Sequence, residues 1–230
     1  MEGVFNRSSR GRLTTRDLDR FPGTTLFDRA ARAACHAGCL PRKELYEAWE
    51  VARRVRRLFR GGRIVDLGGG HGMLAHTLLL LDDTSLNAAV VDAALPPSSA
   101  RLQEALAAAW PRLAGRVALV ASRMEHFELH AGDLVVSSHA CGHLTDVVLE
   151  RASAVRARVA VLPCCHHLAA GEQGGLNGWM DGATAIDIVR ATRLAQRGYR
   201  IWTQTIPEDV TPKNRLLMGE PVDGQIAPKS

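Results

Sequence analysis

A chain of 230 residues, 46 % of them apolar, can bury one sizeable core, yet it has no apolar run of the roughly 18–20 residues that a bilayer span needs. The first dozen residues are polar and arginine-bearing, with no apolar stretch of the kind that marks a secretory signal. Five cysteines, an odd number with Cys164 and Cys165 adjacent, make a poor disulfide framework, so the expectation is a reduced, cytoplasmic protein with no membrane partner.

The net charge of +5 is uneven: residues 1–63 carry +8 and residues 64–230 carry −3. A basic front fits a polyanionic partner; it fits equally a solvated arginine-rich helix. Residues 1–22 have no sustained periodicity and read as a loose arm. Residues 26–38 read as a helix, punctuated by Gly38 and Pro41. The clearest helix spans 42–60, with Leu45, Ala48, Trp49, Ala52, Val55 and Phe59 on one face and Arg53, Arg54, Arg56, Arg57 and Arg60 around the rest.

From Arg63 onward strands and helices alternate. Strands are expected at 63–67, 87–92, 117–121, 133–137 and 158–162, with helices at 72–81, 98–110, 144–155 and 183–196. Ser98 and Ser99 are N-cap candidates. A glycine-rich loop occupies 170–178. Two final strands, 199–205 and 215–218, are joined only by a loop and must pair antiparallel. This order predicts an α/β, Rossmann-like, mostly parallel seven-stranded sheet with a final antiparallel strand and a helical N-terminal extension. The expected division is an arm and helical extension over 1–62 and a cofactor-binding domain over 63–230.

The strand–turn–helix at 63–81 carries the strongest motif, Val65-Asp66-Leu67-Gly68-Gly69-Gly70-His71-Gly72. Its glycines permit a tight turn and close approach of a ligand, and the following helix offers free N–H groups. Asp92 ends the next strand, where a carboxylate can accept two ribose hydroxyl hydrogen bonds. A dinucleotide enzyme would also use such a turn. The G-G-G-H-G sequence with an acid two residues before it resembles motif I of class I S-adenosylmethionine-dependent methyltransferases instead. That resemblance implies S-adenosylmethionine as cofactor, held by Asp66, Gly68, Gly70, Gly72 and Asp92. It also places Met124 and Glu125 at the adenine; read alone, the segment Met124–Phe127 fits an ordinary loop equally well.

Two later strands end in unusual chemistry: His139-Ala140-Cys141-Gly142-His143-Leu144-Thr145-Asp146, and Cys164-Cys165-His166-His167. In a doubly wound sheet both carboxyl ends open on the ligand crevice, so these side chains are expected to crowd one mouth beside the cofactor, His139 touching it. The H-x-C-G-x-x-T-D run followed by C-C-H-H resembles the tRNA 2′-O-methyltransferases that act on the acceptor stem. It is also similar to a wider set of methyltransferase-like proteins. The resemblance covers about residues 42–168, with Pro41 to Glu47 at its front. The zinc-finger modules of the tRNA enzymes have no counterpart here.

What the resemblance implies is methyl transfer, with RNA (2′-oxygen or base) as one acceptor and a small molecule or protein as another; a domain that binds the cofactor without catalysis is the third reading. The sulfonium methyl is already activated, so the protein must position the acceptor and manage its proton. The candidate proton-handling residues are His139, Asp146, His166 and His167. Cys and neutral His also suit zinc, but adjacent C-C and H-H pairs point to opposite faces of a strand end, so no metal site is expected. Lys213 and Arg215, beside the loop between the last strands, could meet an anion. Trp179 could stack on a base or anchor its loop.

Overall fold

The computed structural model describes residues 5–163 and 165–222. Six α-helices and seven strands follow the expected order: α1 Leu26–Ala37, α2 Arg42–Leu58, β1 Ile64–Leu67, α3 Met73–Leu81, β2 Ala88–Asp92, α4 Ser99–Ala109, β3 Val117–Ala121, β4 Leu134–Ser137, α5 His143–Ala154, β5 Arg158–Val161, α6 Gly182–Gln196, β6 Tyr199–Thr205 and β7 Arg215–Pro221. The sheet order is β3-β2-β1-β4-β5-β7-β6. Strands β1 to β5 are parallel, and β7 runs antiparallel between β5 and β6. The chain reverses its winding direction between β1 and β4, so the strand ends part there and leave a crevice.

Alternation along the strands divides the core into two faces. Ile64, Val90, Leu134 and Val136 join one apolar layer with α1 to α4. Val65, Leu67, Val91 and Val135 join the other, which α5 and α6 supply. Asp66 therefore points with Ile64 into the α3 side of the sheet.

The arm is not loose in residues 5–22; residues 1–4 lie outside the described structure. Leu13 and Phe21 are fully buried, and Leu13 N donates to Leu40 O at 2.9 Å. A short 3₁₀ helix spans Thr15–Arg20. Irregular spacing hides this segment from a periodicity reading, because its anchors are single residues rather than a stripe. The arm also caps α2: Arg42 N and Lys43 N donate to Gly11 O and Ser9 O, each at 2.9 Å. These are two of the amide groups a helix leaves unsatisfied at its start, so Arg10 is fixed between two anchored carbonyls.

Helix α2 is covered more widely than one apolar stripe predicts. Glu47, Glu50 and Arg56 are buried along with the apolar set. Arg56 donates to Leu78 O at 3.1 Å and Ser85 Oγ at 2.9 Å, and pairs with Asp82 at 3.1 Å. Burial brings its guanidinium down to about 10. Burial would raise the Asp82 carboxyl, but the Thr84 hydroxyl, the Gly61 and Thr84 amides and Arg56 outweigh it and hold Asp82 at about 2. Among the described residues no helix is long and apolar enough to cross a membrane.

Candidate active site

The crevice at the carboxyl ends of β1 and β2 has a volume of about 660 Å³. The glycine turn forms its floor. Gly68 N donates to Val91 O at 2.8 Å, and Gly70 N donates to Asp92 Oδ2 at 3.0 Å. Asp92 also accepts from Ala94 N at 2.8 Å, so its carboxylate is oriented by two amides at the crevice edge. Gly72 has φ +80°, and a Cβ there would lie 2.7 Å from Val90 Cγ2. Only glycine lets α3 start this close to β2. His71 lies between Glu44 Oε2 at 3.4 Å and Ser98 Oγ at 3.1 Å, tying the turn to α2 and to the start of α4. Ser98 thus serves His71, not a helix cap.

Met124 and Glu125 line the far wall. Their loop is held by Arg151 of α5, which donates to Met124 O and, at 2.7 Å, to Phe127 O. Asp66 does not line the crevice. It lies behind the turn, 1 % exposed, with the Ala75 amide of α3 as the one group that offsets the burial of its carboxylate. Burial pushes its carboxyl up to about 7, with the Asp92 charge adding to the rise. His76 is also buried, in α3; burial lowers its ring to about 4, so it is neutral, and Nδ1 must carry the proton to donate to Gly72 O at 2.8 Å.

A second cavity of about 520 Å³ adjoins the crevice and shares Glu44 and His139 with it. Five segments meet there. The arm brings Arg10, α2 brings Lys43 and Glu47, the β4 turn brings His139 and Cys141, the end of β5 brings Cys165, and the β6–β7 loop brings Lys213. Each wall is anchored. Ser137 Oγ donates to Leu67 O at 2.6 Å and accepts from Ala140 N at 3.2 Å, which fixes the turn bearing His139. Gly142 N donates to Cys165 O at 3.0 Å, joining the β4 and β5 ends. Arg7 pairs with Asp209 at 2.7 Å, clasping the arm to the loop of Lys213.

The family model for the methyltransferase domain matches residues 43–172, more than half of the chain. The chain belongs to the methyltransferase-domain family. No curated protein matches it in sequence. Among solved structures it is similar to an O-methyltransferase family protein from Burkholderia thailandensis, with a TM-score of 0.54 and 17 % identity over 93 % of this chain. The chain spans 64 % of that protein's length. A putative RNA methyltransferase from Pyrococcus horikoshii gives a TM-score of 0.50 and 15 % identity over 80 % of this chain and 87 % of that one. The B. subtilis M1A22 tRNA methyltransferase TrmK gives 0.51 and 16 %, over 76 % and 66 %. At these identities the structures establish the fold.

The cofactor of this methyltransferase domain is S-adenosylmethionine. The crevice fits it by its own chemistry. Its volume lies within the roughly 300–1,000 Å³ of small-ligand sites. Asp92 is the acceptor for ribose hydroxyls, Gly68 and Gly70 present bare backbone, and Met124, Ala140 and Leu144 give an apolar slot for a purine. Bound there, the cofactor supplies an electrophilic methyl on its sulfonium sulfur.

The Cys/His constellation does not form one mouth; it splits. His139, Cys141 and Cys165 line the cavity beside the crevice. His143, Asp146 and His167 line a separate cavity of about 400 Å³ between α5 and α6. Asp146 receives Arg190 Nε at 2.8 Å and Nη2 at 2.9 Å, while Arg190 also donates to Gly142 O at 2.8 Å. His166 turns inward to Asp187 at 2.8 Å, and Arg215 reaches the same carboxylate at 2.8 Å. Burial would raise Asp187; His166 and Arg215 outweigh it and lower it. The split arises where the chain leaves the strands: the turn after β4 keeps His139 and Cys141 beside the crevice while α5 carries Asp146 one turn beyond Gly142, and after β5 Cys165 stays at the first cavity while His166 and His167 turn toward α6. Among the described residues no three His, Cys, Asp or Glu side chains converge to hold a metal ion, and Cys164 lies outside them.

Arg10 lies outside every motif, and Lys43 and Glu47 fall in the Pro41–Glu47 segment of the resemblance without being read as site residues. A signal for Glu47 existed. It sits between apolar residues on the buried part of α2, a position at which a solvated face offers it no place.

Proposed function

We propose that this domain methylates a nucleotide of RNA seated in the Glu47–His139 cavity, at a hydroxyl or amine. The observation that carries the reading is the cavity itself, which opens from the cofactor crevice at His139 and is rimmed by Arg10, Lys43 and Lys213. Cations converging from the arm, α2 and the last loop suit a phosphate-bearing acceptor. Trp179, 86 % exposed rather than anchoring its loop, is free to stack on a base. The resemblance of the 139–146 and 164–167 motifs to tRNA 2′-O-methyltransferases points the same way.

A small anionic acceptor is the second reading. It is favoured by the arginines of α2 and just beyond it, several of which are committed within the protein: Arg54 donates to Thr205 O at 3.0 Å, Arg56 is buried, and Arg60, after the helix, reaches Asp82 at 3.5 Å. The test offers tritium-labelled S-adenosylmethionine with RNA, protein and small-molecule fractions from cells lacking the protein. Label is expected in RNA. Binding should weaken with salt, and Arg10→Glu or Lys213→Glu should each reduce the salt slope by about one while sparing cofactor binding. Label confined to the small-molecule fraction would replace the RNA reading with the second one.

A further inference from the structure

We propose that Glu47 of α2 is a catalytic residue that takes the proton from the acceptor as the methyl arrives. The proposal rests on methyl transfer into the cavity described above, and adds to it the group that handles the proton. Glu47 is 2 % exposed, yet it lines the acceptor cavity beside His139. Its Oε1 is enclosed and paired with Lys43 Nζ at 3.2 Å; the other carboxylate oxygen is not among the enclosed polar atoms and is the one open to the cavity. A carboxylate this buried, with a single lysine of its own helix as its ion-pair partner, is costly to keep, and here it lines a ligand cavity.

The groups facing Glu47 are Lys43 and Glu44 on its own helix, His139 and Cys141 from the β4 turn, Cys165 from β5, Arg10 from the arm and Lys213 from the last loop. Burial pushes the Glu47 carboxyl up, while Lys43 and His139 restrain the rise. A raised carboxyl is better matched to proton uptake near neutrality than an ordinary one. In the step, a bond forms between the acceptor oxygen or nitrogen and the methyl carbon. The methyl–sulfur bond breaks with its electron pair left on sulfur, and the acceptor proton passes to Glu47. His139, at the junction of the two cavities, orients the acceptor toward the crevice.

The test uses the full chain and Glu47→Gln, which keeps shape and removes the base. Single-turnover methylation is followed against pH, using whichever fraction the parent labels. The Gln variant should turn over about 10²–10⁴-fold more slowly, with cofactor affinity by calorimetry within about threefold of the parent. The parent's rate should fall about tenfold per pH unit below the Glu47 midpoint, a limb the variant lacks. A structural role alone would shift the melting temperature and leave that limb in place. In parallel, infrared difference spectra of the cofactor-bound parent should show a protonated carboxyl band absent from the variant, titrating above the ordinary glutamate range. Parent-like rate and pH profile in Glu47→Gln would overturn the proposal; so would the absence of that band. If label enters small molecules rather than RNA, the RNA reading falls and Glu47 is judged on that acceptor. If no fraction is labelled, the infrared titration decides.

Discussion

The cofactor crevice and the acceptor cavity share His139 and Glu44 but are built on different principles. The crevice is a product of backbone: one turn, one carboxylate at the end of the adjacent strand, and a loop pinned by Arg151. Its parts lie within residues 65–72, 91–96 and 123–125, apart from contributions from Glu44, the β4 turn and Leu144 of α5. The cavity is a product of side chains gathered from Arg10 to Lys213, its walls held by contacts between segments distant in sequence, Arg7 with Asp209 the most distant of those described. A fold that splits its sheet between β1 and β4 makes the first almost unavoidable. Nothing in the fold demands the second, so in the proposed function it is the cavity that sets the choice of acceptor.

The largest effect that separates them is expected at Gly72. Alanine there combines a left-handed backbone, φ +80°, with a Cβ 2.7 Å from Val90 Cγ2. Together these should cost about 2–4 kcal/mol of stability and strip cofactor affinity. By contrast, Lys213→Glu on the cavity rim should change stability by less than about 0.5 kcal/mol. Urea unfolding and calorimetry read both. A Gly72→Ala protein with parental stability and affinity would mean that the turn tolerates slack and that the contrast is overdrawn.

This difference in construction also explains what could be read in the sequence. The strand order, the antiparallel end and the glycine turn follow from local patterns, and Asp92 follows from its place at a strand end. The Rossmann-like sheet needed nothing further. The cavity was partly hidden because Arg10 lies in an aperiodic arm and Glu47 in a helix whose amphipathic stripe suggested one buried face. Lys213 was visible as a cation but not as a neighbour of His139. The arginines of α2 read as one charged surface; Arg56 is buried against Asp82, since α3 packs where that surface was expected to meet solvent. The Cys/His run was legible as chemistry, but its division between two cavities depends on how the chain turns after β4 and β5 and on the phase of α5.

Asp66 tests the crevice from behind. Its folded carboxyl titrates at about 7 against an ordinary 3.8, so the folded state holds the proton more tightly than the unfolded chain. The stability this contributes is complete below 3.8 and is lost as pH rises through about 7. Asp66→Asn should therefore flatten the fall in unfolding free energy between those limits and leave the variant more stable than the parent at pH 8, by a few kcal/mol at most. An unchanged pH slope in the variant would show that Asp66 is ionised in place and that a partner has been missed.

The smallest effect, and the one that discriminates best within the constellation, comes from pairing Asp146→Asn with His139→Ala. Asp146 faces Arg190, whose side chain is 4 % exposed, while its own is 41 % exposed. Losing the carboxylate leaves Arg190 with Asp187 and Gly142 O, so α5 and α6 are loosened but not parted. With partial solvent screening of Asp146, the cost should be about 1–2 kcal/mol of stability, with single-turnover rate nearly kept. His139 lines both the crevice and the cavity, so its loss should leave stability nearly unchanged and slow the turnover. Opposite signatures on residues only seven positions apart would fix the boundary between the reacting side of the constellation and its structural side. If instead Asp146→Asn slows turnover as deeply as His139→Ala while stability holds, the α5–α6 cavity takes part in the reaction, and the acceptor must reach past Gly142 to meet it.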